Sequence, residues 1–249
     1  MTAPFGRRTT ALVGRRTIGA YVIIAVRDDA ARPQPGQFYM LAAAERWGGG
    51  EGERPFLARA VSIMRASDDG VVEFLLEDVG PGTRRLCELQ QGDQLLLSGP
   101  FGNGFEQPQA GTLLVGGGIG IAPLLGVQER WGGPALLGFR DAHHAQGATL
   151  FGDPEVATDD GSQGHHGFVT DLLERELDRD PRAVYACGPP ALLEAIGASA
   201  RRRGIHAALA LEAPMACGFG ACYGCVVATA EGFRRVCVDG PVFEAAALR

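Results

Sequence analysis

The chain has 249 residues, of which 46% are hydrophobic and 21% charged, so it can bury a core in one to three domains. Its net charge of −6 excludes the basic surface that nucleic-acid binding requires. No run of about 18 apolar residues is present, which excludes a membrane-spanning helix from the expected structure.

The N-terminal segment loosely imitates an export signal, because two arginine pairs, at 7–8 and 15–16, precede the apolar stretch 17–26. That stretch is short, rich in Val and Ile, and followed by charged residues without a small-residue cleavage site. A first β-strand is the favoured interpretation. Four of the six cysteines lie in the last 33 residues, which indicates a metal site in a reducing compartment and hence a cytoplasmic protein.

Residues 1–107 are predicted to be a β domain, either a small barrel or a sandwich. Short runs of β-forming residues alternate with turn residues such as Gly80, Pro81 and Gly82, and the polar segment 47–53 is predicted to be a mobile loop. The predicted strands are 18–26, 37–42, 60–64, 71–76 and 94–98.

Residues 108–212 alternate strands with helices, which predicts a parallel α/β sheet covered by helices on both faces. The expected strands are 112–115, 134–139, 183–186 and 205–211. A helix is expected to run to about residue 130, a second over 171–178 with Thr170 as its N-cap, and a third over 190–203 with Gly204 just beyond its end. The polar segment 142–167 has no clear assignment, and part of it is expected to be loop.

Residues 213–249 form a third unit, whose apolar content is too low for a core of its own. Its cysteines, Cys217, Cys222, Cys225 and Cys237, follow the spacing C-x4-C-x2-C-x11-C. Plant-type [2Fe–2S] sites use C-x4-C-x2-C followed by a distant cysteine. Structural zinc is the alternative, although zinc sites more often contain two C-x2–4-C pairs. The spacing therefore favours a [2Fe–2S] cluster.

A glycine-rich turn, residues 116–123, directly follows the predicted strand 112–115 and opens a helix. Glycines at such a position let a dinucleotide pyrophosphate approach the backbone at a helix N-terminus. The candidate residues are Gly116, Gly118, Gly120 and Pro123. An ordinary strand–helix turn is the alternative, and the strand before it and the helix after it favour the nucleotide site.

Two further motifs are weaker. Cys187, Gly188 and Pro189 follow a strand at the edge where α/β sheets bind ligands, so Cys187 is a candidate neighbour of a nicotinamide ring or a simple buried thiol. Arg59 and Ser62 suit a phosphate-bearing ligand, but Arg59 taken alone is expected to be a solvated charge. The histidine pairs at 143–144 and 165–166 are expected to lie in solvated loops.

Together these motifs resemble the electron-transfer subunits of two-subunit, NAD-linked dihydroorotate dehydrogenases, which belong to the ferredoxin-NADP reductase superfamily. The resemblance covers nearly the whole chain, and residues 211–226 carry its most specific stretch. It implies an FAD-binding β-barrel domain (1–107), an NAD-binding α/β domain (108–212) and a [2Fe–2S] lobe (213–249).

The resemblance also assigns residues to each cofactor. The family's Arg-Pro-x-Ser flavin motif is matched by Arg59, Ala60, Val61 and Ser62, with alanine in place of the usual proline. Leu75, Leu76 and Glu77 match the strand beside the adenosine half of FAD, and Gly82 and Thr83 match the pair at its pyrophosphate. The glycine turn and residues 187–189 match the nicotinamide-nucleotide site, and the four C-terminal cysteines match the cluster ligands.

The implied function is electron transfer from a separate FMN-containing catalytic subunit, through the cluster and FAD, to NAD+ in pyrimidine biosynthesis. A flavin accepts electrons singly or in pairs, so it connects a one-electron cluster to a hydride acceptor. The chain offers no base for deprotonating dihydroorotate, which predicts a heteromer of two plus two subunits without nucleic acid or membrane.

Two other hypotheses remain open. One is an NAD(P)H-dependent reductase subunit of a ferredoxin- or hydrogenase-linked complex on the same scaffold, and the other is a non-redox protein with a zinc lobe. The choice of nicotinamide nucleotide also stays open, since Arg140 suits a 2′-phosphate whereas Asp141 suits a ribose 2′-hydroxyl.

Overall fold

The computed structural model describes residues 6–29, 32–49, 55–179 and 181–249. Its N-terminal part contains six strands: β1 (Arg8–Ile18), β2 (Tyr21–Arg27), β3 (Phe38–Ala43), β4 (Arg59–Ala66), β5 (Val71–Glu77) and β6 (Gln94–Phe101). They close into an antiparallel barrel in the order β1-β2-β5-β4-β3-β6. Of the two architectures predicted for this part, the barrel is the one observed. Its interior is filled by buried aliphatic and aromatic side chains, among them Leu12, Ile24, Tyr39, Phe74 and Leu95.

Two predictions within the barrel were wrong. The segment expected to be one strand, 18–26, is divided by a turn at Gly19, whose φ of 52° suits glycine, so that β1 and β2 form a hairpin. Most of β1 is polar and only partly buried, which gives it a weak hydrophobic signal. The expected turn at Gly80, Pro81 and Gly82 is instead the beginning of a helix, α1 (Pro81–Cys87), with proline in its first turn.

The second domain is a mainly parallel sheet. Its strands are β7 (Thr112–Gly117), β8 (Ala135–Phe139), β9 (Glu155–Thr158), β10 (His165–His166), β11 (Ala183–Cys187) and β12 (His206–Ala210), and its helices are α2 (Ile121–Trp131), α3 (Ala142–Ala145), α4 (Val169–Leu177) and α5 (Pro190–Arg203). The strand order β10-β9-β8-β7-β11-β12 is that of an open α/β sheet. Side chains of α2 pack on one face, and those of α4 and α5 on the other, as predicted.

The helix boundaries show where local signals succeed and fail. Gly204 adopts a left-handed conformation (φ 67°) immediately after α5, which confirms the predicted end of that helix. Thr170 is not an N-cap, because α4 begins at Val169 and Phe168 is the cap residue. The backbone N–H of Phe168 donates to the Asp171 carboxylate (3.1 Å), which satisfies a donor at this helix end. The unassigned segment 142–167 contains α3, β9 and β10.

The C-terminal segment contains a hairpin, a short helix and one more strand: β13 (Val226–Thr229), β14 (Gly232–Arg235), α6 (Val236–Asp239) and β15 (Val242–Glu244). Strand β15 pairs antiparallel with β12 and extends the α/β sheet. Cys225, Val236 and Cys237 share a buried cluster with Phe38 and other barrel residues. The segment therefore relies on a core shared with the barrel, as its low apolar content indicates.

The barrel and the α/β domain are packed together through α2. Tyr21 and Met64 of the barrel lie in the same buried cluster as Ile121 and Leu124 of that helix. This contact fixes the cleft between the two domains. No helix in the part of the chain that the structure describes is long and apolar enough to cross a bilayer.

Candidate functional site

A cavity of about 300 Å³ lies where the barrel meets the α/β domain and the C-terminal segment. Seven of the predicted flavin residues line it: Ala60, Val61, Ser62, Leu75, Leu76, Glu77 and Thr83. Ile119, Glu212, Met215 and Pro241 from the other two units also contribute to its wall. Its largely apolar wall with a few polar groups fits a flavin ring and its ribityl chain.

Arg59 and Gly82, the other two predicted flavin residues, touch each other next to Thr83. A Cβ atom at Gly82 would lie 2.3 Å from Nε and 2.4 Å from Cζ of Arg59, so only glycine leaves room for the guanidinium at this point. Arg59 is half-buried rather than fully solvated. It has no carboxylate partner among the residues that the structure describes, so its charge is available to an anionic ligand such as a pyrophosphate.

A larger cavity of about 690 Å³ adjoins the first and lies at the carboxyl ends of the parallel strands. It is lined by Gly118, Gly120, Gly188 and Pro189, four of the residues that the sequence assigns to a nucleotide site, and by Phe168 at the start of α4. Ligands of open α/β sheets bind at this edge. The two cavities share Glu77, Ile119, Gly120 and Glu212, so their occupants would be neighbours.

Three predicted nucleotide residues do not line this cavity. Gly116 and Pro123 are buried, and Gly116 faces Ile121 and Leu124 in the core. Cys187 is buried at the end of β11, and burial raises the pKa of its thiol. Its carbonyl lies against Gly120, where a Cβ atom would be only 2.6 Å from the carbonyl carbon and oxygen of Cys187. These residues therefore lie beneath the surface of the cleft and support its shape.

Arg140 and Asp141 are both engaged by protein groups. The guanidinium of Arg140 forms an ion pair with Glu77 and donates from Nε to His144 Nε2 (2.9 Å). Asp141 caps α3 by accepting from the backbone N–H of His144 (2.9 Å), and its carboxylate also meets the His144 ring. Hydrogen bonding to His144 lowers the pKa of Asp141 to about 2.

The histidine pairs behave differently from each other. His144 was expected in a solvated loop, but it lies in α3 with its side chain only 12% exposed and lines the larger cavity. Its neighbour His143 is exposed, and so are His165 and His166 in the short strand β10. Sequence pattern alone offers no signal that separates His144 from the other three.

Glu212 occupies the junction of the two cavities, and sequence reasoning did not single it out. The residue is exposed on the cleft side, yet the surrounding protein desolvates its carboxyl group and raises its pKa. No cation is paired with it in the described residues. A desolvated, unpaired carboxylate in a cleft is typical of a functional position.

The four C-terminal cysteines are free thiols that lie as two pairs. Cys222 lies against the Cys217 sulfur, and the backbone N–H of Cys237 donates to the Cys225 sulfur (3.4 Å). A [2Fe–2S] cluster presents two irons, each of which takes two thiolates, and this arrangement matches two pairs of cysteines. The donor set thus fits the binuclear cluster.

The loop that carries these cysteines is adapted to thiolates. Partial burial acts to raise the pKa of Cys217, but backbone N–H groups of Cys222, Phe219 and Ala221 hydrogen-bond its sulfur and lower the pKa to about 6. Thiolates are the form that binds iron, and such N–H bonds tune a bound cluster. Met215 packs against the buried core of this lobe and also lines the flavin cavity, so the cysteine lobe and that cavity adjoin.

A flavin-sized cavity on a barrel, an adjoining nucleotide cavity and a cysteine lobe define the class of ferredoxin-NADP-reductase-like proteins with an added iron–sulfur domain. A solved structure of an NADH-dependent reduced ferredoxin-NADP oxidoreductase matches 96% of this chain and 89% of its own, with a TM-score of 0.80 and 26% identity. A ferredoxin reductase of carbazole 1,9a-dioxygenase shares the fold (TM-score 0.65, 23% identity, covering 80% of this chain and 65% of its own).

Residues 212–249 match the iron–sulfur cluster binding domain of dihydroorotate dehydrogenase B. A dihydroorotate dehydrogenase B (NAD(+)) electron transfer subunit from Listeria monocytogenes is 35% identical, over 90% of this chain and 91% of that protein. The subunit from Bacillus caldolyticus is 38% identical, over 85% of both chains. The chain belongs to the family of dihydroorotate dehydrogenase B electron transfer subunits.

Proposed function

We propose that this chain passes electrons from a dihydroorotate-oxidising catalytic subunit to NAD+ in pyrimidine biosynthesis. The observation that carries the proposal is the order of the sites: the flavin cavity lies between the nucleotide cavity and the cysteine lobe, sharing walls with both. When bound, the cluster supplies single-electron transfer and FAD supplies exchange between single electrons and hydride. This order is the one that such a transfer requires.

Each cofactor is assigned to this chain's own residues. FAD would be held by residues 59–62 and 75–77 together with Gly82 and Thr83. NAD would be held by Gly118, Gly120, Gly188 and Pro189. The floor of the nucleotide cavity would be supported from within the core by Gly116, Pro123 and Cys187. Cys217, Cys222, Cys225 and Cys237 would ligate the cluster. Arg140 and Asp141 are both engaged by protein groups, so their contacts do not separate NAD from NADP, and NAD is assigned here because the relatives of this chain are NAD(+) enzymes.

The catalytic subunit is expected to dock around the cysteine loop. Cys222 is exposed there, and the apolar side chains of Phe219, Tyr223 and Val238 beside it are 51%, 64% and 37% exposed. Exposed apolar groups around a redox centre favour a protein partner. We assign this surface to an FMN-containing subunit in a two-plus-two heterotetramer, located in the cytoplasm, where the free thiols stay reduced.

The test is to purify the chain gently and anaerobically from its host and to identify what accompanies it. We expect a second flavoprotein and NADH formation that depends on dihydroorotate. A flavin- and iron-containing protein with another partner and no response to dihydroorotate would contradict the proposal. The similarity to the NADH-dependent ferredoxin-NADP oxidoreductase would then favour the alternative, a reductase subunit of a ferredoxin- or hydrogenase-linked complex.

Replacing Glu212 by glutamine is expected to slow NADH formation about tenfold at NAD+ concentrations below KM, because the carboxylate in the cleft attracts the cationic ring of NAD+ and a neutral amide does not. The readout is the rate of NADH formation at constant FAD content. An unchanged rate would exclude an electrostatic role for Glu212.

The same substitution should stabilise the chain in a pH-dependent manner. Because folding raises the pKa of Glu212, its charged form is disfavoured in the folded state. The variant should therefore melt higher than the wild type at pH 8. This advantage should vanish below about pH 4, where the carboxyl group is protonated in both states.

A further inference from the structure

Trp47 lies in the loop between β3 and β4, and none of the motifs described above includes it. Its ring is partly buried against the barrel core. The loop is closed nearby by a hydrogen bond from the Gly48 N–H to the Pro55 carbonyl (2.8 Å). The packing and this hydrogen bond place the ring at the edge of the barrel, on the side where β4 begins.

The guanidinium of Arg59 lies over the Trp47 ring, with Cζ 5.7 Å from the ring centroid. This distance is within the range of a cation–π interaction. On its other sides the guanidinium meets Gly82 and donates from Nη1 to the Leu57 carbonyl (2.5 Å). Arg59 is thus held by a ring face, a carbonyl and a glycine, and by no carboxylate in the described part of the chain.

The indole N–H of Trp47 is buried and has no acceptor among the described residues. An unpaired buried donor costs about 1–3 kcal/mol, so no hydrogen bond to a described residue accounts for a tryptophan at this position. Packing alone would be served equally by phenylalanine, which carries no such donor. What tryptophan adds is the aromatic face that attracts cations most strongly. At this site, the contact with Arg59 uses the aromatic face of Trp47.

We propose that Trp47 is a positioning residue of the flavin site, which holds the Arg59 guanidinium by a cation–π contact in the orientation that receives the pyrophosphate of FAD. The contact neutralises no charge, unlike a carboxylate, and so it fixes the side chain while leaving its cation available to the phosphates. This inference rests on the assignment of Arg59 to FAD under the proposed function.

The test measures FAD affinity by titrating the full-length chain, after release of its flavin, and following flavin fluorescence. Trp47→Leu, which removes the aromatic face, is expected to weaken FAD binding about fivefold to tenfold. Trp47→Phe keeps an aromatic face and should stay within about threefold of wild type. Trp131→Phe is the matched control, because Trp131 also stacks with an arginine, Arg130, but away from the flavin cavity. It should bind FAD normally.

The variant Arg59→Ala distinguishes a failure of the inference about Trp47 from a failure of the assignment of Arg59 to the flavin site. If positioning is the role of Trp47, the double variant Trp47→Leu/Arg59→Ala should bind FAD no worse than Arg59→Ala alone. Wild-type affinity in Trp47→Leu, equal losses in Trp47→Leu and Trp47→Phe, or additive losses in the double variant would each overturn the inference and leave the flavin site standing. Wild-type affinity in Arg59→Ala would instead remove Arg59 from the flavin site, and the inference with it.

The chain offers an independent readout, because it contains two tryptophans. In the Trp131→Phe background, Trp47 is the sole tryptophan, and its emission should be quenched when FAD binds beside Arg59. Emission that FAD leaves unchanged would show that the loop is remote from the cofactor and would overturn the proposal. Melting of the flavin-free variants should be alike within a few degrees, which distinguishes positioning from loss of fold.

Discussion

Replacing Cys222 by serine is expected to lower dihydroorotate-dependent NADH formation at least about 100-fold. Loss of a residue that only hydrogen-bonds a metal ligand already lowers metal affinity or activity about 10–100-fold, and loss of a ligand itself should cost more. A serine oxygen is a poor substitute for a thiolate on iron. Cys222 is exposed, whereas Cys225 and Cys237 form part of the lobe's buried core. The substitution should therefore remove a ligand without disturbing the packing of the lobe.

The same variant should still oxidise NADH with dyes that accept electrons from FAD, because Cys222 lines neither of the two cavities. The measurements are iron content, visible absorbance of the cluster, and the two activities in parallel. Cys87→Ser is the matched control: Cys87 is a free thiol buried in the barrel core, and its replacement should keep the iron. Full coupled activity in Cys222→Ser would show that electrons do not pass through this lobe.

The features that the sequence predicted well depend on residues that are close together in the chain. Three of the four cysteines lie on one nine-residue loop, and their spacing predicts an iron–sulfur domain, which the match of residues 212–249 to such a domain confirms. The α/β domain likewise alternates buried strands with helices, and Gly204 ends α5 at the predicted position. In these cases the physical constraint acts among a few neighbouring residues, so the sequence pattern shows it directly.

The features that were missed depend on contacts between distant segments. Glu212, His144 and Phe168 come from three parts of the chain and meet only at the nucleotide cavity. Arg59 looks solvated in sequence, but Gly82 and the Trp47 ring enclose it after folding. Thr170 was a plausible cap by composition, yet the helix starts two residues earlier than predicted, at Val169, whose side chain packs against the sheet.

Gly120 belongs to a local sequence motif, but a contact with a segment far away in the chain explains why this residue is glycine. Its replacement by alanine has the second large expected effect. The added Cβ would lie 2.6 Å from the backbone of Cys187 and equally close to the Cα atom of Gly188. Because these are backbone atoms at the end of β11, no side-chain rotation relieves the clash. The end of β11 must move away from the glycine turn, and both segments line the nucleotide cavity.

We therefore expect Gly120→Ala to destabilise the chain by about 2 kcal/mol, as overpacking in a tight interior does. NADH-dependent flavin reduction should fall about 100-fold, because small displacements of a reacting group carry costs of that size. Gly197→Ala is the control: Gly197 is also buried, but its Cβ would meet its nearest neighbours, side-chain atoms, at 3.3–3.6 Å. It should melt at or above the wild-type temperature, since alanine favours a helix. Normal flavin reduction in Gly120→Ala would mean that the approach of the glycine turn to β11 does not shape the nucleotide site.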